Sequence, residues 1–383
     1  MNDSILQAKP ETDFSLFEKI EQKDHEQVII CSDPKAGLRA IIAIHNTTLG
    51  PALGGTRMWP YNSDKEALHD VLRLSRGMTY KAAIAGLNLG GGKAVIIGDP
   101  QKDKSEALFR SFGRFVEGLA GRYITAEDVG IDVRDMEWVR METKYVTGIS
   151  TALGGSGDPS SVTALGTYMG MKAAAKKVYG HDSLHARKIA IQGAGHVSYH
   201  LAKLLSKEGA EIFICDLFPE KAQVIASEIN CRAIDKEDIF DVDCDIFSPC
   251  ALGGILNSET IQRLKCDIIA GCANNQLDSE SLHGPMLMEK NILYCPDYVI
   301  NAGGLINVAS ELQGYNKDQA HNQATRIYDT LLDIFNYAET ARIPTYAASN
   351  ELAIKRLNQI SHIKQIYASN SHYSGRLGEL NKS

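Results

Sequence analysis

Apolar positions along the chain recur with two periods, and the switches between them mark out elements. Residues 27–33 and 38–46 are rich in β-branched residues and bracket Asp33-Pro34-Lys35-Ala36-Gly37, which predicts a hairpin. Residues 64–77 have apolar spacings of three and four, with Asp64 near the start and Gly77 at the end, the pattern of a capped amphipathic helix. A short apolar strand over 93–97, a helix over 104–119, a strand over 123–126 and a helix over 132–141 continue the first 150 residues. The turn-rich stretch Gly154 to Pro159 reads as a linker. A helix over 162–178 follows, and then a regular alternation: strand 188–192, helix 196–208, strand 211–215, helix 219–228, and strands 244–248, 267–271 and 292–295. This alternation predicts a parallel, doubly wound sheet. After Gly303-Gly304, helical patterns at about 317–342 and 347–361 close the ordered part. The last twenty or so residues are polar and read as disordered.

Composition narrows the function class. At 383 residues the chain predicts two or three domains of ~150 residues each. A net charge of −7 with no block of Lys or Arg argues against a nucleic-acid or anionic-membrane partner. No apolar run approaches the ~18 residues of a membrane helix, and the N-terminus lacks the features of a secretory signal, so a cytoplasmic location is expected. Of the eight cysteines, seven fall between 215 and 295, none in a CxxC motif, and they read as small buried hydrophobes in a reducing compartment. His196 and His200 have metal-ligand spacing but no acidic third ligand at a natural offset, so no metal is expected.

Two stretches carry chemistry. Gly90-Gly91-Gly92-Lys93 follows Lys81 by twelve residues, both lysines flanked by apolar residues. Two ammonium groups held close disfavour each other's charge, which lowers the pKa of at least one and makes it usable as a base. The three glycines read as a turn along which a small substrate approaches the backbone. The second stretch is Gly193-Ala194-Gly195-His196-Val197, which follows an apolar strand and opens a helix. Asp216 ends the next strand 23 residues after Gly193. This is a dinucleotide-binding turn. Gly193 makes the bend, Gly195 lets the pyrophosphate reach the helix N-terminus, and an acid at 216 suits the ribose 2′-hydroxyl of NAD rather than a 2′-phosphate.

Together with LGPALGGTRMWPY (49–61), GRYITAEDVG (121–130), VTGIS (146–150), VDCDIFSPCALGG (242–254), ANNQL (273–277) and PDYVINAGGLINVA (296–309), these stretches resemble the Glu/Leu/Phe/Val dehydrogenase family, nearest to its leucine-acting members. The resemblance implies a first domain over 1–150 for substrate binding and oligomerisation. It implies a Rossmann NAD-binding domain over 151–340, and a C-terminal helix and tail over 341–383, the helix packing back on the first domain, with a cleft between the domains. It implies NAD-dependent, reversible oxidative deamination of an L-amino acid to a 2-oxo acid and ammonia, in a homo-oligomer, either octamer or dimer. Lys81 would hold the substrate carboxylate, Lys93 would activate the attacking water, and Asp128 would shuttle protons at the amine. Leu53, Gly54, Met78, Ala126, Thr147, Leu305 and Val308 would line the substrate site. Gly193, Ala194, Gly195, His196, Val197, Asp216, Cys250, Ala251, Asn275 and Asn301 would meet the cofactor. The apolar side-chain set implies a branched-chain substrate; an aromatic amino acid is the alternative, and an inactive binding homologue a third. Gly92 and Ser198 stand where the leucine-acting members often carry Ala, and Leu305 stands where Val is usual.

Overall fold

The computed structural model describes residues 16–363. The C-terminal tail and most of the N-terminal extension lie outside the described residues. A short helix, α1 (Leu16–Glu21), precedes β1 (Gln27–Asp33) and β2 (Leu38–Asn46), which form the antiparallel hairpin expected from the sequence. Next come β3 (Ala52–Trp59), α2 (Asp64–Ile84), β4 (Gly90–Ile97), α3 (Glu106–Glu117), β5 (Tyr123–Glu127) and α4 (Val133–Arg140). The strands form a mixed sheet in the order β1-β2-β4-β3-β5, with β3 parallel to both β4 and β5. Successive residues of β2 and β4 face opposite sides of the sheet. Ile41, Ala43 and Val95 pack against Leu68, Val71 and Leu72 of α2, and Ile42, Ala94 and Ile96 share a core with Phe109, Phe112 and Val116 of α3.

The second half begins with α5 (Ser160–Tyr179), β6 (Lys188–Gln192), α6 (His196–Glu208), β7 (Glu211–Cys215), α7 (Pro219–Glu228) and β8 (Arg232–Ala233). It continues through β9 (Ile246–Pro249), α8 (Ser258–Arg263), β10 (Ile268–Ile269), α9 (Glu280–Glu289) and β11 (Leu293–Tyr294). The strand order is β11-β10-β9-β6-β7-β8 and every pairing is parallel, as the alternation predicts. From β6 the sheet grows one way through β7 and β8, then the other way from β9 onward. The carboxyl ends of β6 and β9, at Gln192 and Pro249, therefore flank the crevice where this architecture takes its ligand. The chain closes with α10 (Asp297–Ile300), α11 (Gly303–Ser310), α12 (Lys317–Thr325), α13 (Ile327–Ala341) and α14 (Thr345–Ser361).

Helix α14 returns to the first half and packs on α2. There Arg356 donates from Nη1 to the carbonyls of Ala83 (2.7 Å) and Leu87 (2.9 Å), and from Nη2 to Asn88 Oδ1 (3.0 Å). The guanidinium thus satisfies carbonyls at the C-terminal end of α2, where a helix has none of its own donors left. A second tie is made by Glu311, at the end of α11. Its carboxylate accepts from the backbone nitrogens of Gly148 (3.1 Å) and Ser156 (2.9 Å), fastening the 148–156 segment to α11.

Four expectations are corrected. Gly77 does not end α2; the helix is capped at its start by Ser63 and runs seven residues further, to Ile84, because its apolar face stays covered by β2 and β4. The added turns carry Met78 and Lys81. Gly90 to Gly92 are not a turn but the first residues of β4. The pattern over 317–342 is broken at Arg326 into α12 and α13. Helix α11, with Leu305 and Val308, is an addition to the expected elements, since eight residues opening on Gly303-Gly304 give too little periodicity to announce it.

The glycines of β4 make room for protein atoms, not for substrate. A Cβ on Gly91 would overlap the backbone nitrogen and Oγ1 of Thr79 in α2, one on Gly92 would meet the Tyr123 ring at 2.7 Å, and one on Gly90 would overlap the Asn46 carbonyl. Gly91→Ala is therefore expected to destabilise the fold by about 1–3 kcal/mol, the usual cost of overpacking. Gly77→Ala, within α2 and with nothing within 4 Å of the added carbon, is expected to be neutral or stabilising by up to ~1 kcal/mol through helix propensity. Chemical denaturation of the two variants checks this; equal midpoints would refute the packing role of Gly91.

Candidate active site

A cleft of about 530 Å³ collects charged residues from both halves of the chain. Lys81 enters on the last turn of α2, Lys93 from the middle of β4, Asp128 from the residue after β5 and Arg57 from β3, facing Asn274, Asn275 and Asp297 of the second half. Asp128 is free to face the cleft because helix α4 is capped by Asp132 instead, which accepts from Asp135 N at 3.2 Å. A Cβ on Gly55 would lie 2.9 Å from the Asp128 Cβ, so the missing side chain there lets the end of β5 seat against β3.

The charges are paired. Lys93 Nζ lies 2.9 Å from Asp128 Oδ2, and Arg57 Nε donates to the same oxygen at 3.1 Å. Arg57 Nη1 also donates to Asp70 Oδ2 (3.0 Å), which accepts in turn from the Tyr61 hydroxyl (2.8 Å); Arg73 donates to Asp70 Oδ1 (2.9 Å). Burial pushes the Asp128 carboxyl up, but Lys93 and Arg57 outweigh it and hold the group below the ordinary carboxylate value. Lys81 behaves differently. Its Nζ donates to Asn301 Oδ1 at 2.6 Å, 220 residues away, and burial lowers its pKa to about 8, with Lys93 adding to the fall and Asp297 and Asp128 opposing it. Asp297 is itself pushed up by burial, although it accepts from the backbone nitrogens of Gln276 (3.0 Å) and Tyr298 (2.6 Å).

Asn301 joins the cleft to the nucleotide turn. Its Nδ2 donates to Asn274 Oδ1 (2.7 Å) and to the Cys272 carbonyl (3.2 Å). Next along, Ala273 N donates to the Pro249 carbonyl (3.0 Å), and the Cys250-Ala251 backbone packs under Gly193, where a Cβ would sit 2.9 Å from Ala251 N. Gly193 has a φ of 110°, open only to glycine. The turn fits a dinucleotide. Gly195, at the N-cap of α6, has nothing within 4 Å of where a Cβ would stand, leaving the helix N-terminus open to a pyrophosphate. Asp216 Oδ2 accepts from Ala194 N (2.7 Å) and Oδ1 from Phe218 N (3.0 Å), which fixes the carboxylate at the edge of that turn. The His196 side chain is 86% exposed, 3.6 Å from Asp158, and Val197 packs on the core.

The other residues expected at the substrate site fall differently. Met78 lines the cleft. Leu53, Ala126, Thr147 and Leu305 are buried, and Val308 packs against the same core as Leu53 and Leu305. Thr147 donates from N to the Thr125 carbonyl at 2.9 Å, and Gly54 gives its carbonyl to the Tyr123 hydroxyl at 2.7 Å. None of these six lines the charged cleft. Arg57, Asp297 and Asn274 do not stand out in the sequence, although each lies inside a stretch that does. Their partners are remote in the chain, and a one-dimensional pattern carries no signal for such pairs.

Residues 25–145 match the family described as Glu/Leu/Phe/Val dehydrogenase, dimerisation domain, and residues 154–216 and 214–365 match Glutamate/Leucine/Phenylalanine/Valine dehydrogenase. A leucine dehydrogenase of Geobacillus stearothermophilus is 55% identical over 358 residues, covering 94% of this chain and 97% of the relative. A phenylalanine dehydrogenase of Caldalkalibacillus thermarum is 47% identical over 350 residues, covering 90% and 94%. The crystal structure of L-tryptophan dehydrogenase from Nostoc punctiforme superimposes with a TM-score of 0.82 at 46% identity, covering 91% of this chain and 100% of that one.

Proposed function

The chain belongs to the Glu/Leu/Phe/Val dehydrogenase family, and on that basis we propose that it oxidatively deaminates branched-chain L-amino acids to 2-oxo acids and ammonia, reversibly, with NAD as its nucleotide. The protein is an amino-acid dehydrogenase, an oxidoreductase of a pyridine-nucleotide-dependent family. The observation that carries the finer reading is the meeting of Lys81, Lys93 and Asp128, from three elements, in one cleft.

The nucleotide, when bound, supplies the acceptor for the hydride leaving the substrate α-carbon. The protein's own groups do the rest. Lys81, held by Asn301, presents a fixed cation to the α-carboxylate. Asp128 takes the proton from the substrate amine. Lys93, as the free amine 2.9 Å from that carboxylate, deprotonates the water that attacks the imino carbon, and Asp128 returns its proton to the nitrogen as ammonia leaves. The negative Asp216 at the nucleotide turn supports NAD, because it would face a 2′-phosphate with like charge. Assembly as a homo-oligomer through the first domain is part of the same reading, supported by the family description of residues 25–145.

Lys93→Ala is expected to lower kcat by ~10²–10⁴ with nucleotide affinity retained, the usual cost of losing a general base. Lys81→Ala should act chiefly on the amino-acid KM. Near-normal turnover of Lys93→Ala would reject the assignment. For the nucleotide, kcat/KM with NAD should far exceed that with NADP, and comparable values would remove Asp216 as the discriminating group. For the substrate, the family resemblance sets the side chain against Leu53, Ala126, Leu305 and Val308, which lie outside the charged cleft and are all uncharged, so glutamate would bury an unpaired carboxylate at a cost of several kcal/mol. Leu305 in place of Val adds a methylene, for which ~1–3 kcal/mol of discrimination is ordinary, and so tilts preference toward valine; Leu305→Val should restore leucine. Nucleotide reduction, followed by absorbance over a panel of aliphatic and aromatic amino acids, decides it. Phenylalanine outperforming leucine and valine would replace the branched-chain reading with the aromatic one.

A further inference from the structure

The proton carrier of the cleft is fixed by one oxygen only. Both cations that touch the Asp128 side chain, Lys93 Nζ at 2.9 Å and Arg57 Nε at 3.1 Å, meet Oδ2, and among the described residues no hydrogen bond is made to Oδ1. The two cations are not equivalent. Lys93 is a single-point contact on a flexible stem, whereas the planar guanidinium of Arg57 is held at both ends. Its Nη1 is bonded to Asp70, and Asp70 is itself fixed by the Tyr61 hydroxyl and by Arg73. Arg57 sits on β3, which pairs in parallel with β5, the strand that ends one residue before Asp128.

We infer that Arg57 is a positioning residue for Asp128: braced by Asp70, it clamps Oδ2 so that Oδ1 is presented to the substrate amine, and it keeps Asp128 aligned while Lys93 exchanges its proton. The clamp explains a division of labour that Lys93 alone cannot supply. When Lys93 gives up its proton, its attraction for Oδ2 falls, and Asp128 would swing with it unless a permanently charged group held the same oxygen. Arg57 is such a group, because its guanidinium does not deprotonate in proteins. The other ionisable groups around Asp128 are Lys93 from β4, Lys81 from α2 and Tyr123 from β5. None of them reaches Oδ2 with a second anchored donor.

This inference rests on the reading of Asp128 as the proton carrier, and the test separates the two. Arg57→Gln removes the charge and the fork. With a misplaced base, kcat should fall by about 10²-fold while the amino-acid KM and nucleotide affinity change little. The direction in pH follows from the charges. Arg57 helps to hold the Asp128 carboxyl low, so its loss raises that group, and the acidic limb of kcat/KM against pH moves to higher pH. Arg57→Lys keeps a charge but not the fork, and should recover the position of the limb while recovering only part of kcat. A loss of kcat in Arg57→Gln with an unmoved limb, or wild-type kcat in Arg57→Lys, would overturn the inference. If Arg57→Gln does not fold, as judged by circular dichroism, Arg57→Lys alone still decides between clamp and mere charge. Asp128→Asn tests the underlying reading: full turnover there would remove the proton carrier itself, whatever the Arg57 variants show.

Discussion

The architecture turns on a close approach between α2, β4, β3 and β5, and that approach depends on leaving out side chains. Gly91 admits the backbone of α2 at Thr79, Gly92 admits the Tyr123 ring, and Gly54 lies against the Gly92 carbonyl. Two residues past Thr79, α2 delivers Lys81; one residue past Gly92, β4 delivers Lys93; five residues past Tyr123, the chain delivers Asp128. The same contacts that pack the sheet therefore set the distances between the charges. A core of this density transmits small displacements instead of absorbing them, so a shift of one element reaches the cleft.

Within that frame the cleft is a balance of buried charges. Desolvation acts against every ion there, and the outcome for each depends on its partners. Asp128 has two cations on one oxygen and stays low; Lys81, whose Nζ donates to the neutral amide of Asn301, is brought down to about 8; Asp297, with backbone donors and, among the described residues, no cation in direct contact, is pushed up. Groups of one chemical type are thus tuned apart by environment, which is the general means by which a protein obtains both acid and base near neutral pH.

What can be read along the chain is what is local. The nucleotide turn is legible because strand, bend, helix and terminal acid follow one another within some two dozen residues, and the structure keeps Gly193, Ala194 and Asp216 together. The hairpin over 27–46 is legible for the same reason. The end of α2 is not, since Gly77 carries a stop signal that burial against the sheet overrides. Nor is the strand character of Gly90–Gly92, which no intrinsic preference supports and which tertiary packing imposes. Arg57 escapes because Asp70 and Asp128 lie 13 and 71 residues from it, and the join between Lys81 and Asn301 spans 220.

Arg356 gives this long-range character a temporal side. The carbonyls it caps, at Ala83 and Leu87, are made 273 and 269 residues before it. At synthesis rates of about 5–20 residues per second, the end of α2 waits on the order of tens of seconds for the cation that satisfies it. During that interval the first sheet can form around its own core, but the turn bearing Lys81 lacks both Arg356 and Asn301. The growing chain thus passes through a stage in which the first sheet carries Lys81, Lys93 and Asp128 before the residues that face them across the cleft, Asn274, Asn275 and Asp297, have been made. Vectorial synthesis, by this reasoning, keeps the half-made protein chemically silent.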